Sequence, residues 1–186
     1  MSSRDAVLAA APRVLATQPT ASMAEIAAAA GVGRATLHRH FASREDLLRE
    51  IGQRSLDQWA ASMDEARVLE AAESGDATVI RACLVDLLTR YVADAQAFGI
   101  ALTDPTVLND PELREGAERC FVDELRLHGA AQATGVLRPD VPPRWLGHVL
   151  YGLLVAVRDA LVEGDIAPRD AAGLVVTAFL EGSGAR

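Results

Sequence analysis

Two serine capping boxes frame the amino-terminal part of the chain. In Ser22-Met23-Ala24-Glu25 and Ser43-Arg44-Glu45-Asp46 the serine oxygen can accept from the backbone N–H three residues on, while the acidic side chain returns to the serine N–H. Each box marks a helix start. Between them the helical pattern is interrupted at Gly31-Val32-Gly33, where Gly31 can take the left-handed conformation that closes a helix. The spacing predicts a helix through Ala30, a tight turn, a second short helix from about Arg34 to Phe41, and a third opening at Ser43.

Ile26, Ala27, Ala30, Val32, Leu37 and Phe41 fall where two such helices face each other, and small Ala27 lets them approach closely. This leaves Arg34, Thr36, His38, Arg39 and His40 outward, which is the layout of a helix-turn-helix whose second helix enters the DNA major groove. Upstream, RDAVLAAAPRVLAT spaces Val7, Leu8, Ala11, Val14 and Leu15 as one apolar helix face. Pro12 removes one hydrogen bond of that helix and is expected to bend or restart it.

Charge supports the assignment. The chain carries a formal net charge of -8, and all 18 of its Lys and Arg positions are arginine, a bias that reads first as the codon usage of a GC-rich genome. Residues 1–48 hold five arginines against four acids, the remainder 13 against 22, and no acid occurs from Ile26 to Arg44. An acidic protein can still bind nucleic acid when its cations are gathered on one face.

The stretch MAEIAAAAGVGRATLHRHFASREDLLREI closely resembles the DNA-binding domain of bacterial TetR/AcrR-family transcriptional regulators, with their IA-x-x-AGV turn, TLY-x-HF recognition helix and SKE-x-LL helix opening. The likeness covers about residues 4–52. Gly33 stands where Ser or Thr is usual in the family, His38 where Tyr is usual, and Arg44 where Lys is usual. By position, the resemblance implies that Arg34, Ala35 and Arg39 face base edges and that Ser22, Thr36, His38, His40 and Arg44 hold phosphates. Arginine donates twice to a guanine edge, so Arg34 and Arg39 are the expected specificity determinants.

The rest of the chain reads as helices separated by turn signals: one carrying Ile51, Leu56, Trp59 and Met63, one over about 78–97, two opened by Asp104-Pro105 and Asp110-Pro111, one over 145–163, and a last one from Pro168 through Leu180. No strand pattern stands out. The expected fold is all-α: an amino-terminal three-helix helix-turn-helix DNA-binding domain, residues 1–50, followed by a helical effector-binding and dimerisation domain, residues 51–186.

Leu146, Leu150, Leu153, Val157 and Leu161 form one apolar stripe, and Leu174, Val175, Ala178 and Phe179 repeat the pattern on the last helix. Pairing these helices with their copies in a second subunit would bury both, and a four-helix dimer interface is what the resemblance implies. Trp59, Met63, Leu87, Tyr91, Phe98, Cys120, Phe121, His148 and Tyr151 are the candidate lining of an effector pocket, although ordinary core is the better reading of each, because apolar residues at helical spacing need no ligand. His148 and Tyr151 lead that set because a polar tip among apolar neighbours needs a partner.

No nucleophile elbow, P-loop, dinucleotide fingerprint or HExxH supports catalysis, so neither catalytic residues nor a cofactor is expected. Glu124 and His128 sit four apart on one helix but lack a second histidine at ligand spacing, so no metal site is expected. Cys83 and Cys120 form no CxxC pair and read as buried thiols. The longest mostly apolar run, 145–157, falls short of the roughly 20 residues of a membrane span, and a cytoplasmic protein is expected. The combined expectation is a homodimeric repressor released from a palindromic operator by a small, mostly apolar effector, with the helix near Ser43 to Met63 moving the DNA-binding domains. An activator or effector-independent regulator of the same fold is the alternative. An all-helical enzyme is more distant, and a purely structural dimer would leave Arg34 and Arg39 without a role.

Overall fold

The computed structural model describes residues 2–185. Within them Ser2 caps α1 (Ser3–Thr17), which runs unbroken through a buried Pro12. Ser22 and Ser43 form the two reciprocal boxes ahead of α2 (Met23–Ala29) and α4 (Arg44–Glu65). Gly31 closes the turn at φ 66°, and α3 (Arg34–His40) starts at Gly33 with no side-chain cap. Removing the Ser43 hydroxyl leaves the Asp46 N–H without its partner. Ser43→Ala is therefore expected to cost about 0.5–2 kcal/mol, read as a lower urea midpoint at unchanged m-value.

The chain continues as α5 (Val68–Ser74), α6 (Ala77–Phe98), a 3-10 turn (Gly99–Leu102), α7 (Pro105–Leu108), α8 (Pro111–Ala133), α9 (Pro143–Glu163) and α10 (Pro168–Ser183). Asp76, Asp104 and Asp110 accept from the first backbone N–H groups of α6, α7 and α8. The described residues contain no strand, only an isolated bridge between Leu137 and Gly184. Two segments depart from the sequence reading. The polar stretch after Met63 is a separate helix, α5, set off by Arg67 in the left-handed region at φ 57°, and α6 ends in a 3-10 turn that no apolar spacing announces.

Two hydrophobic cores form. The first gathers Val7, Leu8, Leu15, Ile26, Leu37, Phe41, Leu47, Leu48 and Ile51 from α1–α4, and is closed by Ile100, Ala101, Val107 and Leu113 from the 3-10 turn, α7 and α8. Gly52 makes that closure possible. A Cβ there would lie 2.6 Å from Leu113 Cδ1 and 2.9 Å from Val107 Cγ1, so any larger residue makes those two side chains shift where α7 and α8 seat on α4. The second core lies among α4, α5, α6, α8, α9 and α10. Helix α4 passes from one core to the other, and residue 50 falls within it.

Helix α9 is longer than its apolar run of 145–157. Its 21 residues are long and apolar enough to cross a membrane by length and composition, yet it lies against α6, α8 and α10, with 22% of its most apolar window buried. Five of the nine residues expected at a dimer interface, Leu146, Leu150, Val157, Val175 and Phe179, are buried in the chain's own core. Leu153 and Leu161 are half-buried, and Leu174 and Ala178 are exposed. That expectation needs correction: the stripe with the strongest apolar spacing faces inward, and what remains outside is carried by its neighbours Trp145, Tyr151, Val162 and Leu174, at 56%, 42%, 45% and 51% exposure.

Candidate DNA-contacting surface and effector site

Leu37, fully buried, and Phe41 anchor α3 to the first core. Arg34, Ala35, His38 and Arg39 are exposed, and Thr36 and His40 are half-buried. Arg34 and Arg39 make no ion pair or side-chain hydrogen bond among the described residues, so both guanidinium groups stand free in water. The other candidates already have partners. The Ser22 hydroxyl donates to Glu25 Oε2 at 2.7 Å, His40 Nε2 shares a 2.7 Å hydrogen bond with Ser3 Oγ, and Arg44 Nη2 donates to the Pro19 carbonyl at 2.5 Å. Helix α1 thus braces the recognition helix. Arg4 lies over the Phe41 ring at 5.7 Å and pairs with Glu50 at 2.7 Å. Sequence spacing carries no signal for these supports, because Ser3 and His40 are 37 residues apart.

In the helical part, the candidate pocket residues do not meet in one place. Trp59 Nε1 donates to the Tyr91 hydroxyl at 2.6 Å, and Tyr91 in turn donates to Glu124 Oε2 at 3.0 Å. This chain ties α4 to α6 and α8. Met63 and Cys120 line an open cleft of about 470 Å³ between α4, α5 and α8, together with Ala60, Asp64, Val68, Leu69, Glu70 and Asp123. Leu87 is core, and Phe98 packs against the first core instead. Phe121 and His148 form a ring pair with centroids 6.0 Å apart, and His148 is exposed.

Tyr151 is exposed too, and its hydroxyl donates to the Leu102 carbonyl at 2.5 Å. Two turns along α9, Arg158 Nη1 donates to the Gly99 carbonyl at 2.8 Å and to Thr103 Oγ1 at 2.7 Å. Both side chains clasp the 3-10 turn rather than a pocket. The expectation that His148 and Tyr151 lead a pocket lining is therefore corrected: both are exposed, and the partner Tyr151 finds is the Leu102 carbonyl. The buried ionisable pair is Glu124 and His128, 3% and 0% exposed, with Ser62 and Ser183 as the other buried polar residues among those described.

Residues 7–51 match the model of the bacterial regulatory proteins of the tetR family. Over 166 residues the chain is 34% identical to the HTH-type transcriptional repressor LfrR of Mycolicibacterium smegmatis, spanning 87% of this chain and 80% of that relative. The chain belongs to the TetR family. It is a DNA-binding transcriptional regulator with an amino-terminal helix-turn-helix followed by a helical domain, and the relative it matches is a regulator rather than an enzyme. Among solved structures, LfrR from Mycobacterium smegmatis in complex with proflavine matches with a TM-score of 0.71 and 29% identity over 97% of this chain and 96% of that one. AibR in complex with isovaleryl coenzyme A and operator DNA shares the fold, with a TM-score of 0.65 at 20% identity over 96% and 98% of the two chains.

Within this TetR-family fold, the Glu124–His128 pair is the electrostatic anomaly. His128 Nε2 lies 3.9 Å from Glu124 Oε1, and neither ring nitrogen has a protein hydrogen-bond partner. Burial pushes the Glu124 carboxyl up from 4.5 to about 7, against the opposing hydrogen bonds from Tyr91 and Trp59. Burial pulls His128 down from 6.5 to about 4, with the Pro143 backbone offsetting part of this without reaching hydrogen-bond geometry. No group of three or more His, Cys, Asp or Glu among the described residues is arranged to hold a metal ion.

These shifts act on stability in opposite directions. Between 4.5 and about 7 the folded state holds the Glu124 proton that the unfolded state has lost, so stability falls as pH rises. Between about 4 and 6.5 the unfolded state holds the His128 proton, so stability rises with pH. The two slopes oppose each other where the windows overlap. Glu124→Gln removes the falling contribution, so its stability is expected to rise with pH from about 4 to 6.5 more steeply than the wild type's, measured as urea midpoints across that range.

Proposed function

We propose that the protein is a homodimeric transcriptional repressor, working in the cytoplasm, that holds a roughly palindromic operator through Arg34 and Arg39 and is released by a small effector. The observation that carries the reading is the pair of exposed, unpartnered guanidinium groups on α3, in a stretch without acids, on a protein of net charge -8. The acidic remainder repels phosphate and confines contact to this face. Arg34, Ala35 and Arg39 read base edges. Thr36 and His38 hold phosphates directly, and Ser22, His40 and Arg44 do so by exchanging their present partners for phosphate oxygens.

Residues 1–50 serve as the DNA-binding unit and 51–186 as the effector-binding and dimerisation unit. The outer surface of α9 and α10, with Trp145, Leu153, Leu161, Leu174 and Ala178, meets its copy in a second subunit. Burying two such faces removes exposed apolar area from water, and a two-fold dimer sets its recognition helices about 34–36 Å apart, one DNA turn. The repressor sign follows LfrR, and the effector follows the ligands that LfrR and AibR hold in their solved complexes. An effector that prefers a different tilt of α4 shifts the population away from the DNA-competent spacing.

Gel shifts on intergenic DNA next to the gene test this. One retarded species on a palindromic fragment is expected, with affinity falling roughly 10³-fold or more between about 50 and 200 mM salt if about six phosphates are neutralised. A protein that is monomeric in solution, or that prefers no palindrome over random DNA, sinks the proposal.

A further inference from the structure

Helix α6 and its 3-10 turn end on the amino-terminal body, and the donors at that end come from another helix. The last carbonyls of a helix lack intrahelical partners and carry partial negative charge. No basic residue stands in the last turn of α6. Helix α9 supplies the cation instead: Arg158 donates to the Gly99 carbonyl and Thr103 Oγ1, and the Tyr151 hydroxyl donates to the Leu102 carbonyl.

Arg158 is held in place from both sides. Its Nε and Nη2 donate to Asp159 Oδ1 at 2.8 and 2.6 Å, so the carboxylate grips one edge of the planar guanidinium while the other edge reaches the turn. The side chain is only 14% exposed. Its stem lies across Gly99, where an added Cβ would come within 2.5 Å of Arg158 Cδ and 2.8 Å of Arg158 Cγ, so a side chain at 99 makes the arginine shift. On the far side of the turn, Ile100 and Ala101 are buried in the first core, and α1 and α4 pack against the turn. No other side chain of α9 hydrogen-bonds to residues 1–66 or 99–113 among the described residues.

We propose that Tyr151 and Arg158 are positioning residues for operator binding: they fix the angle between α9 and the body that carries α3, and with it the placement of the two recognition helices in a dimer. The inference rests on the reading of a homodimer joined through α9 and α10. Apolar packing of the turn is non-directional, whereas hydrogen bonds to its carbonyls and hydroxyl are directional, so the polar contacts set the angle. Once one recognition helix has docked, the second meets its half-site at an effective concentration that depends on how narrowly the joint holds it. Without these hydrogen bonds the turn keeps its seat in the first core, the single angle widens into a range, and the gain from the second head falls. Docking of one head alone is indifferent to the change.

The test compares two labelled duplexes by fluorescence anisotropy at one fixed salt concentration. One is a palindrome selected by the wild-type protein from random duplex DNA, and the other keeps one of its half-sites with the second scrambled. Arg158→Met with Tyr151→Phe keeps apolar bulk at both positions and removes the donors. Its affinity for the palindrome is expected to fall about tenfold or more while its affinity for the half-site stays within about twofold. Gly99→Ala, which displaces Arg158 from the opposite side of the joint, is expected to lower the palindrome-to-half-site ratio in the same direction. Tyr151→Phe alone, a loss of one hydroxyl at the surface, is expected to lower the ratio about threefold, and it decides the matter if the double variant fails to fold. Sedimentation and circular dichroism should show folded dimers throughout. A ratio unchanged in the folded, dimeric variants overturns the proposal. So does an equal loss on both duplexes, the mark of a merely structural role, or a loss that tracks dissociation into monomers. Wild-type protein that is monomeric or selects no palindrome overturns the homodimer reading and the proposal with it, whereas a selected palindrome with an unmoved ratio overturns the positioning role alone.

Discussion

Replacing Arg34 and Arg39 together by alanine is expected to weaken operator binding by about thirty-fold to ten-thousand-fold for each half-site read. Each arginine that donates twice to a guanine edge contributes about 1–3 kcal/mol of discrimination, and two independent contacts add. Neither side chain has a hydrogen-bond or ion-pair partner among the described residues and both are exposed, so the fold gives up no such contact. Circular dichroism and gel filtration of the double variant should match the wild type. The loss has a floor, because phosphate contacts by the remaining residues still support weak, sequence-indifferent binding. Arg34→Lys or Arg39→Lys sharpens the test: lysine keeps the charge but not the planar fork, so affinity for random DNA should hold while preference for the operator falls. Operator affinity within about threefold of wild type in the double alanine variant removes α3 as the reading head.

Phe179→Ala is expected to be the most damaging single truncation for stability. The ring is fully buried on α10 and lies 6.0 Å, centroid to centroid, from the His128 ring. Emptying such a site costs about 3–5 kcal/mol, a fall in melting temperature of roughly 6–20 °C for a chain of this size. The loss should be the same at low and high protein concentration, because the side chain belongs to the chain's own core. Leu174→Ala, on the exposed side of the same helix at 51% exposure, should behave in the opposite way, with little loss of intrinsic stability and a weaker dimer in sedimentation. A concentration-dependent loss in the Phe179 variant would put that residue back at an interface between copies.

These two residues also show which parts of the molecule the sequence makes legible. Signals that act within four residues are readable: the boxes at Ser22 and Ser43, the aspartate caps before α7 and α8, and the left-handed Gly31 all appear where their local chemistry places them. The recognition helix is readable for the same reason, since Leu37 and Phe41 face inward and the arginines outward by helical spacing alone. Helix spacing identifies an apolar stripe but not what covers it. Leu146, Leu150, Val157, Val175 and Phe179 look like an interface in one dimension and are core in three.

The polar centre was hidden differently. In the sequence Glu124 and His128 carry no expected site, because nothing there shows that Tyr91, 33 residues away, reaches one of them while the ring nitrogens of the other have no hydrogen-bond partner among the described residues. His148 and Tyr151 show the converse, having apolar neighbours in sequence but solvent in space. The separate α5 was lost because Arg67, a non-glycine residue at positive φ, carries no local signature of a break.

The clasp of Tyr151 and Arg158 on the 3-10 turn has a further consequence. That turn sends Ile100 and Ala101 into the amino-terminal core, so α9, whose outer side is proposed to meet a second subunit, is bolted through two backbone carbonyls to the body that carries α3. A dimer built on such a joint follows a lengthened operator only at the cost of these contacts. One extra base pair between half-sites turns the second by about 35° around the duplex axis, and a stiff pair of reading heads pays attention to that phase as much as to the letters it reads.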